Sequence, residues 1–126
     1  MTRLEAGDIV LLRFPFSDLA SRKRRPVVVV NPAAFSARHG DIVVIPLTGA
    51  AQDDSLRLSK WREAGLRKPT WLKPMVATVT TSLVEKSLGT LRADDNHCIG
   101  AAAARLIDAK FLPTIGSSQR PGKTSL

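Results

Sequence analysis

Four consecutive valines stand between two prolines in Pro26-Val27-Val28-Val29-Val30-Asn31-Pro32. β-branched side chains favour a pleated backbone. An unbroken apolar run bounded by turn-forming residues reads as a strand buried on both faces. Such a strand belongs in the middle of a sheet. The rest of the chain must therefore supply a partner on each side of it and apolar cover above and below.

The partners are legible. Ile9–Phe14 is rich in strand formers and is stopped by Pro15, which cannot donate to a ladder. Asp41–Thr48 forms a further strand ending at Gly49, and Val76–Thr80 another. Leu56-Arg57-Leu58 alternates in the manner of an edge strand, and Leu88–Leu91 adds a brief one. Ala33–Arg38 forms one or two helical turns before His39-Gly40, and Lys60–Ala64 a short helix capped by Gly65. Ser82 with Glu85 three residues later has the form of a capping box, which predicts a helix ended by Gly89. Asp94 and Asp95 suit the start of the one long helix. Its apolar face is Ile99, Ala102, Ala103, Leu106 and Ile107, and Pro113 limits it.

Most of these strands are joined by too few residues for a parallel crossover. The expected architecture is mainly β with short helices: a small antiparallel sheet curling into a partly open barrel, with a C-terminal α-helix. At 126 residues the chain is one domain's worth of sequence. Residues 1–112 are assigned to that domain. Residues 113–126, rich in Gly, Ser, Pro and Lys from Gly116 on, are expected to form a disordered tail.

Nineteen Lys and Arg against eleven Asp and Glu give a net charge of +8. A small basic domain attracts polyanions: nucleic acid, acidic peptide or anionic membrane. One cysteine, Cys98, excludes an internal disulfide framework. His39 and His97 are far apart with no metal-binding spacing, so neither a metal site nor a cofactor is expected. The first residues lack the apolar core of a signal peptide, and no apolar run reaches the roughly 20 residues that span a bilayer. A cytoplasmic protein with no membrane partner is expected.

Arg22-Lys23-Arg24-Arg25 is the densest charge cluster. In its plainest role it is a solvated loop. Arg25 differs from the others because it abuts Pro26 at the mouth of the buried strand. An ordered guanidinium there offers a planar fork to two phosphate oxygens. Arg22, Lys23 and Arg24 supply a diffuse, salt-sensitive pull on a phosphate backbone. Thr48, at the end of the third strand, is on its own an ordinary β-branched residue; it gains a role if it reaches the same groove as Arg25. Cys98 near a helix start reads as a small core residue rather than a nucleophile. Trp61 and Trp71 can stack on bases, although tryptophans more often serve cores or interfaces. No Walker-type phosphate loop and no Ser-His-Asp order is present.

The order of segments resembles the MazF/PemK family of type II toxin–antitoxin toxins. The resemblance is carried by Gly7-Asp8-Ile9-Val10, Arg25-Pro26-Val27-Val28-Val29-Val30 and Ile42-Val43-Val44-Ile45-Pro46-Leu47-Thr48. Ala64-Gly65-Leu66, Lys68-Pro69-Thr70, Thr78-Val79 and Leu88-Gly89-Thr90-Leu91 add to it. It implies an SH3-like barrel, a homodimer, and a metal-independent, sequence-specific endoribonuclease acting on single-stranded RNA. It implies Arg25 and Thr48 as the catalytic pair and an acidic antitoxin as partner, with operator DNA bound through that antitoxin. Some members carry an acidic or amide side chain where this chain reads Lys73-Pro74-Met75. Lys73 is therefore grouped with Arg22, Lys23 and Arg24 as an RNA-binding cation. A non-catalytic binding module and a gyrase-directed toxin on the same barrel are the rival readings.

Overall fold

In the computed structural model, which describes residues 3–13, 24–51 and 55–112, the valine run lies inside a seven-stranded sheet. The strands are β1 (Asp8–Arg13), β2 (Arg24–Val29), β3 (Asp41–Thr48), β4 (Leu56–Arg57), β5 (Trp71–Leu72), β6 (Ala77–Thr80) and β7 (Val84–Thr90). Their order is β4-β5-β3-β2-β1-β7, with β6 pairing the first half of β3. The pairings are antiparallel and the sheet is not closed, as the short connections predict. Two helices, α1 (Ala33–His39) and α2 (Asn96–Leu106), complete it. Phe14, Arg22, Lys23 and the expected tail from residue 113 lie outside the described residues.

Strand alternation divides the valines between two cores. Val28 packs with Ile9, Ile45, Leu47, Leu58, Leu72, Cys98 and Ala102. Val27 and Val29 pack with Val10, Leu12, Ile42, Val44 and Val79. All three valines are 0% exposed, so β2 is covered on both faces. Burying a valine side chain contributes roughly 1.5–3 kcal/mol. The turn after β2 is tied by Asn31, whose Nδ2 donates to Ser36 Oγ (2.7 Å) and whose Oδ1 accepts from the Val43 N–H (2.8 Å).

Two local expectations fail and a third holds in position only, each for a tertiary reason. Ser82 and Glu85 do not cap a helix. Ser82 lies in a 3-10 turn (Thr81–Leu83), and the residues after it form β7, paired along β1. A ladder of that length outweighs one capping pattern. Lys60–Ala64 makes a single turn, closed by the Ala64 N–H on the Lys60 carbonyl (3.0 Å), rather than a helix. Its start is held instead by Asp95, which accepts from the N–H groups of Ser59 and Lys60 (both 2.8 Å). Asp95 does stand at the N-cap position of α2, which begins at Asn96 after the 3-10 turn Ala93–Asp95, but its side chain makes no cap hydrogen bond there. On α2, Cys98 and Ala102 are buried and Ile99 packs on the core, while Leu106 at its end and Ile107 just beyond it are exposed.

Candidate active-site groove

β2 and β3 run antiparallel, so the start of one and the end of the other share one rim of the sheet. A groove of about 510 Å³ opens there. Leu11, Pro26, Leu47, Leu66 and Leu88 give it apolar walls, and the turn Gly65–Lys68 forms one bank. That bank is set close to β7. A β-carbon on Gly65 (φ +100°) would meet the Leu88 carbonyl oxygen at 2.2 Å, and one on Gly89 the Ala64 carbonyl oxygen at 1.8 Å. Two glycines are what allow these backbones to cross in contact.

Arg25 and Thr48 both line this groove. The β2–β3 register pairs Val29 with Val44, Val28 with Ile45 and Val27 with Pro46. The pairing ends at Val27–Pro46, and Arg25 and Thr48 each stand two residues beyond it, at the same end of the strand pair. Thr48 Oγ1 accepts from the Ala50 N–H (3.2 Å), an interaction two residues along the chain that fixes the oxygen and leaves the hydroxyl proton to be donated elsewhere.

Four cations line the groove: Arg24, Arg25, Arg67 and Lys68. No carboxylate or histidine is among the described lining residues. Arg24 is partly neutralised, since its guanidinium pairs with Glu85, which also takes Arg13 (2.8 Å). These two arginines, Arg24 foremost, hold the Glu85 carboxyl below the usual carboxylate range. Arg25, Arg67 and Lys68 have no ion-pair partner among the described residues. Lys68 lies against Gly49: a β-carbon there would stand 2.5 Å from Cε and 2.8 Å from Nζ. Such a lining suits an anion with an apolar attachment.

The family model for the PemK-like, MazF-like toxin of type II toxin–antitoxin systems matches residues 5–107. The chain belongs to this toxin family. The fold agrees with solved structures. MazF from Deinococcus radiodurans superposes with a TM-score of 0.69 at 23% identity, over 84% of this chain and 98% of that one. An endoribonuclease in complex with its cognate antitoxin from a mycobacterial species gives a TM-score of 0.68 at 16% identity, over 90% and 99%. The MazE–MazF complex of D. radiodurans gives 0.63 at 22% identity, over 83% and 94%. No curated protein matches the chain in sequence.

In this toxin Arg25, Thr48 and Arg24 line one groove. Lys73 does not line the groove; its N–H donates to the Pro46 carbonyl (3.0 Å) and its side chain is half-buried. Arg22 and Lys23 lie outside the described residues. Cys98 is buried, and burial, reinforced by the Asp95 carboxylate, pushes its thiol up, away from nucleophilic use. His97 Nδ1 lies 3.0 Å from the Asp94 carbonyl and His39 stacks near Phe35, both away from the groove. Arg67 and Lys68 are the groove cations that residue-by-residue reading missed. No local pattern marks them, and the packing of Lys68 on Gly49 is made by the fold. Among the described residues no cluster of three or more metal-ligating side chains occurs. No helix of the described residues is long and apolar enough to cross a membrane.

Proposed function

We propose that this toxin is a metal-independent endoribonuclease that cuts single-stranded RNA at specific sequences. The RNA's own 2′-hydroxyl attacks the adjacent phosphorus. The 2′-oxygen–phosphorus bond forms, the bond to the 5′-oxygen breaks, and the products end in a 2′,3′-cyclic phosphate and a 5′-hydroxyl. The 2′-hydroxyl proton leaves to solvent and the departing 5′-oxygen takes one up. The nucleophile is built into the substrate, so the protein's task is to align it and to stabilise charge on the phosphorane.

The observation that carries this reading is the meeting of Arg25 and Thr48, from two strands, in one cationic groove. Arg25 presents two N–H groups to the non-bridging oxygens. Thr48 donates its hydroxyl to one of them, its oxygen being engaged by Ala50. Lys68, packed against Gly49, adds a positive charge to the same groove. Arginine stays protonated, so its contribution is electrostatic rather than that of a base. The cations of the groove also suit an acidic antitoxin segment lying in it and excluding RNA, with operator DNA bound through that partner. A homodimer that doubles the groove completes the reading.

The test is incubation of the purified protein with long single-stranded RNA in excess EDTA. Discrete fragments ending in 2′,3′-cyclic phosphate are expected. Intact RNA with a mobility shift would make the protein a binding module. Inhibition of DNA supercoiling without RNA cleavage would make it a gyrase-directed toxin.

A further inference from the structure

On the footing of that endoribonuclease reading, we infer that Trp71, with Arg57 beside it, is the platform on which a base flanking the scissile phosphate stacks. Thr48 is paired with Trp71 across β3–β5, and Trp71 with Arg57 across β5–β4. One cross-strand row therefore reads Thr48, Trp71, Arg57, and Arg25 lines the same groove as Thr48. Side chains in such a row share a face, and neighbouring strands are about 4.8 Å apart. A phosphate held by Arg25 and Thr48 therefore has an indole one strand away and a further guanidinium two strands away.

The two tryptophans of the chain differ in the way this role requires. Trp61 packs against the main core. Trp71 is half-buried and joins neither core cluster, although its chain neighbours Thr70 and Leu72 are both buried. Alternation thus puts the Trp71 ring on the face opposite theirs. Its ring contact among the described residues is the Arg57 guanidinium, 5.9 Å from the ring centroid, at the outer limit of a cation–π approach. Arg57 is exposed and has no ion-pair partner among the described residues. An aromatic face beside a cation is the combination that holds single-stranded nucleic acid: the base stacks and the cation meets the backbone.

The test uses the full chain carrying Trp61→Phe, which leaves Trp71 as the remaining tryptophan of the two in the sequence. The probe is an oligonucleotide spanning a mapped cut site, with a 2′-deoxy sugar at the scissile nucleotide so that attack is blocked. A second probe has the flanking bases removed. Trp71 fluorescence is expected to be quenched by the first probe and not by the second. Trp71→Ala is expected to weaken binding of the first about tenfold or more and to leave the second unchanged, with Trp71→Phe restoring most of the loss. Arg57→Ala is expected to fall between. If the parent protein cuts RNA while Trp71→Ala binds and cuts equally well, or if quenching ignores the missing bases, the platform is overturned and the nuclease reading stands. If Trp71→Ala instead loses only antitoxin binding, the surface belongs to the protein partner and the platform is again overturned. If the parent protein neither binds nor cuts RNA, both fall together.

Discussion

Lys68 lays the end of its side chain on the α-carbon of Gly49, occupying the space a β-carbon would need. The contact sets the Lys68 ammonium on the bank of the groove that Thr48 also lines. Gly49→Ala meets only the flexible tip of a lysine, so the fold absorbs it and the melting temperature should hold. The ammonium must move, and displacing a positioned group costs roughly ten- to a hundredfold in rate. Lys68→Ala should lose a similar factor. The double variant should lose no more than either single one, because both remove the same interaction. Cleavage rates and thermal melts of the three variants check this.

Arg25→Ala should reduce cleavage about a hundredfold, corresponding to about 3 kcal/mol of transition-state stabilisation. Arg25→Lys should recover little of it, since an ammonium cannot make the two parallel N–H contacts of a guanidinium. Thr48→Val keeps the shape of the side chain and removes its proton. A large fall in kcat with unchanged melting temperature is expected. Either variant cutting RNA at the full rate would remove the mechanism.

The central strand and its neighbours were legible because their apolar runs satisfy two faces at once, which nothing but a buried sheet can use. Asp41–Thr48 is reproduced to the residue, and Arg25 and Thr48 line one groove because the start of β2 and the end of β3 lie at the same end of an antiparallel pair. What was not legible depends on contacts distant in sequence. Glu85 has the spacing of a capping residue, yet its partners are Arg13 and Arg24, 72 and 61 residues away. Asp95 looks like a helix cap, yet its donors are Ser59 and Lys60. Lys68 reads as one of nineteen Lys and Arg until the packing on Gly49 singles it out. Local patterns record what a segment can do alone; these charges are committed by the fold.

Glu85 tempers the charge of the groove by engaging Arg24. Glu85→Gln should release that guanidinium to the substrate. RNA binding should tighten at low salt, and the slope of log affinity against log salt should steepen by about one unit, as for one more phosphate contact. Titrations at several salt concentrations measure this. An unchanged slope would show that Arg24 does not meet the backbone.

Gly89→Ala should damage the fold rather than the chemistry. The new β-carbon would lie 1.8 Å from the Ala64 carbonyl oxygen, and neither backbone has a flexible end to yield. Separating the Gly65 turn from β7 should cost about 3 kcal/mol or more, lowering the melting temperature by roughly 10 °C. Replacement of exposed Gly100, where a β-carbon meets nothing within 4 Å, provides the control. Its effect should be neutral or slightly stabilising, since Gly100 lies inside α2.

Asp95 gives the toxin an acid-labile tie. The carboxylate is 1% exposed; Oδ1 accepts from the N–H and hydroxyl of Ser59, and Oδ2 from the Lys60 N–H, all at 2.8 Å. Burial by itself raises the carboxyl. The Lys60 and Ser59 hydrogen bonds, with nearby His97, outweigh it and hold the group below the usual range. A carboxyl whose pKa is lower folded than unfolded contributes stability that is complete above the unfolded value, about 4. That contribution is lost as pH falls through the folded value. Unfolding free energy should therefore decline with acidification from about pH 4 downward. Asp95→Asn turns an amide donor toward one of these donors and should cost about 1–3 kcal/mol at neutral pH. The gap between variant and parent should close in acid, where the parent's carboxyl is protonated. Denaturant melts of both proteins from pH 7 to pH 2 test this, and a gap that stays constant would show that Asp95 titrates alike in the folded and unfolded chains.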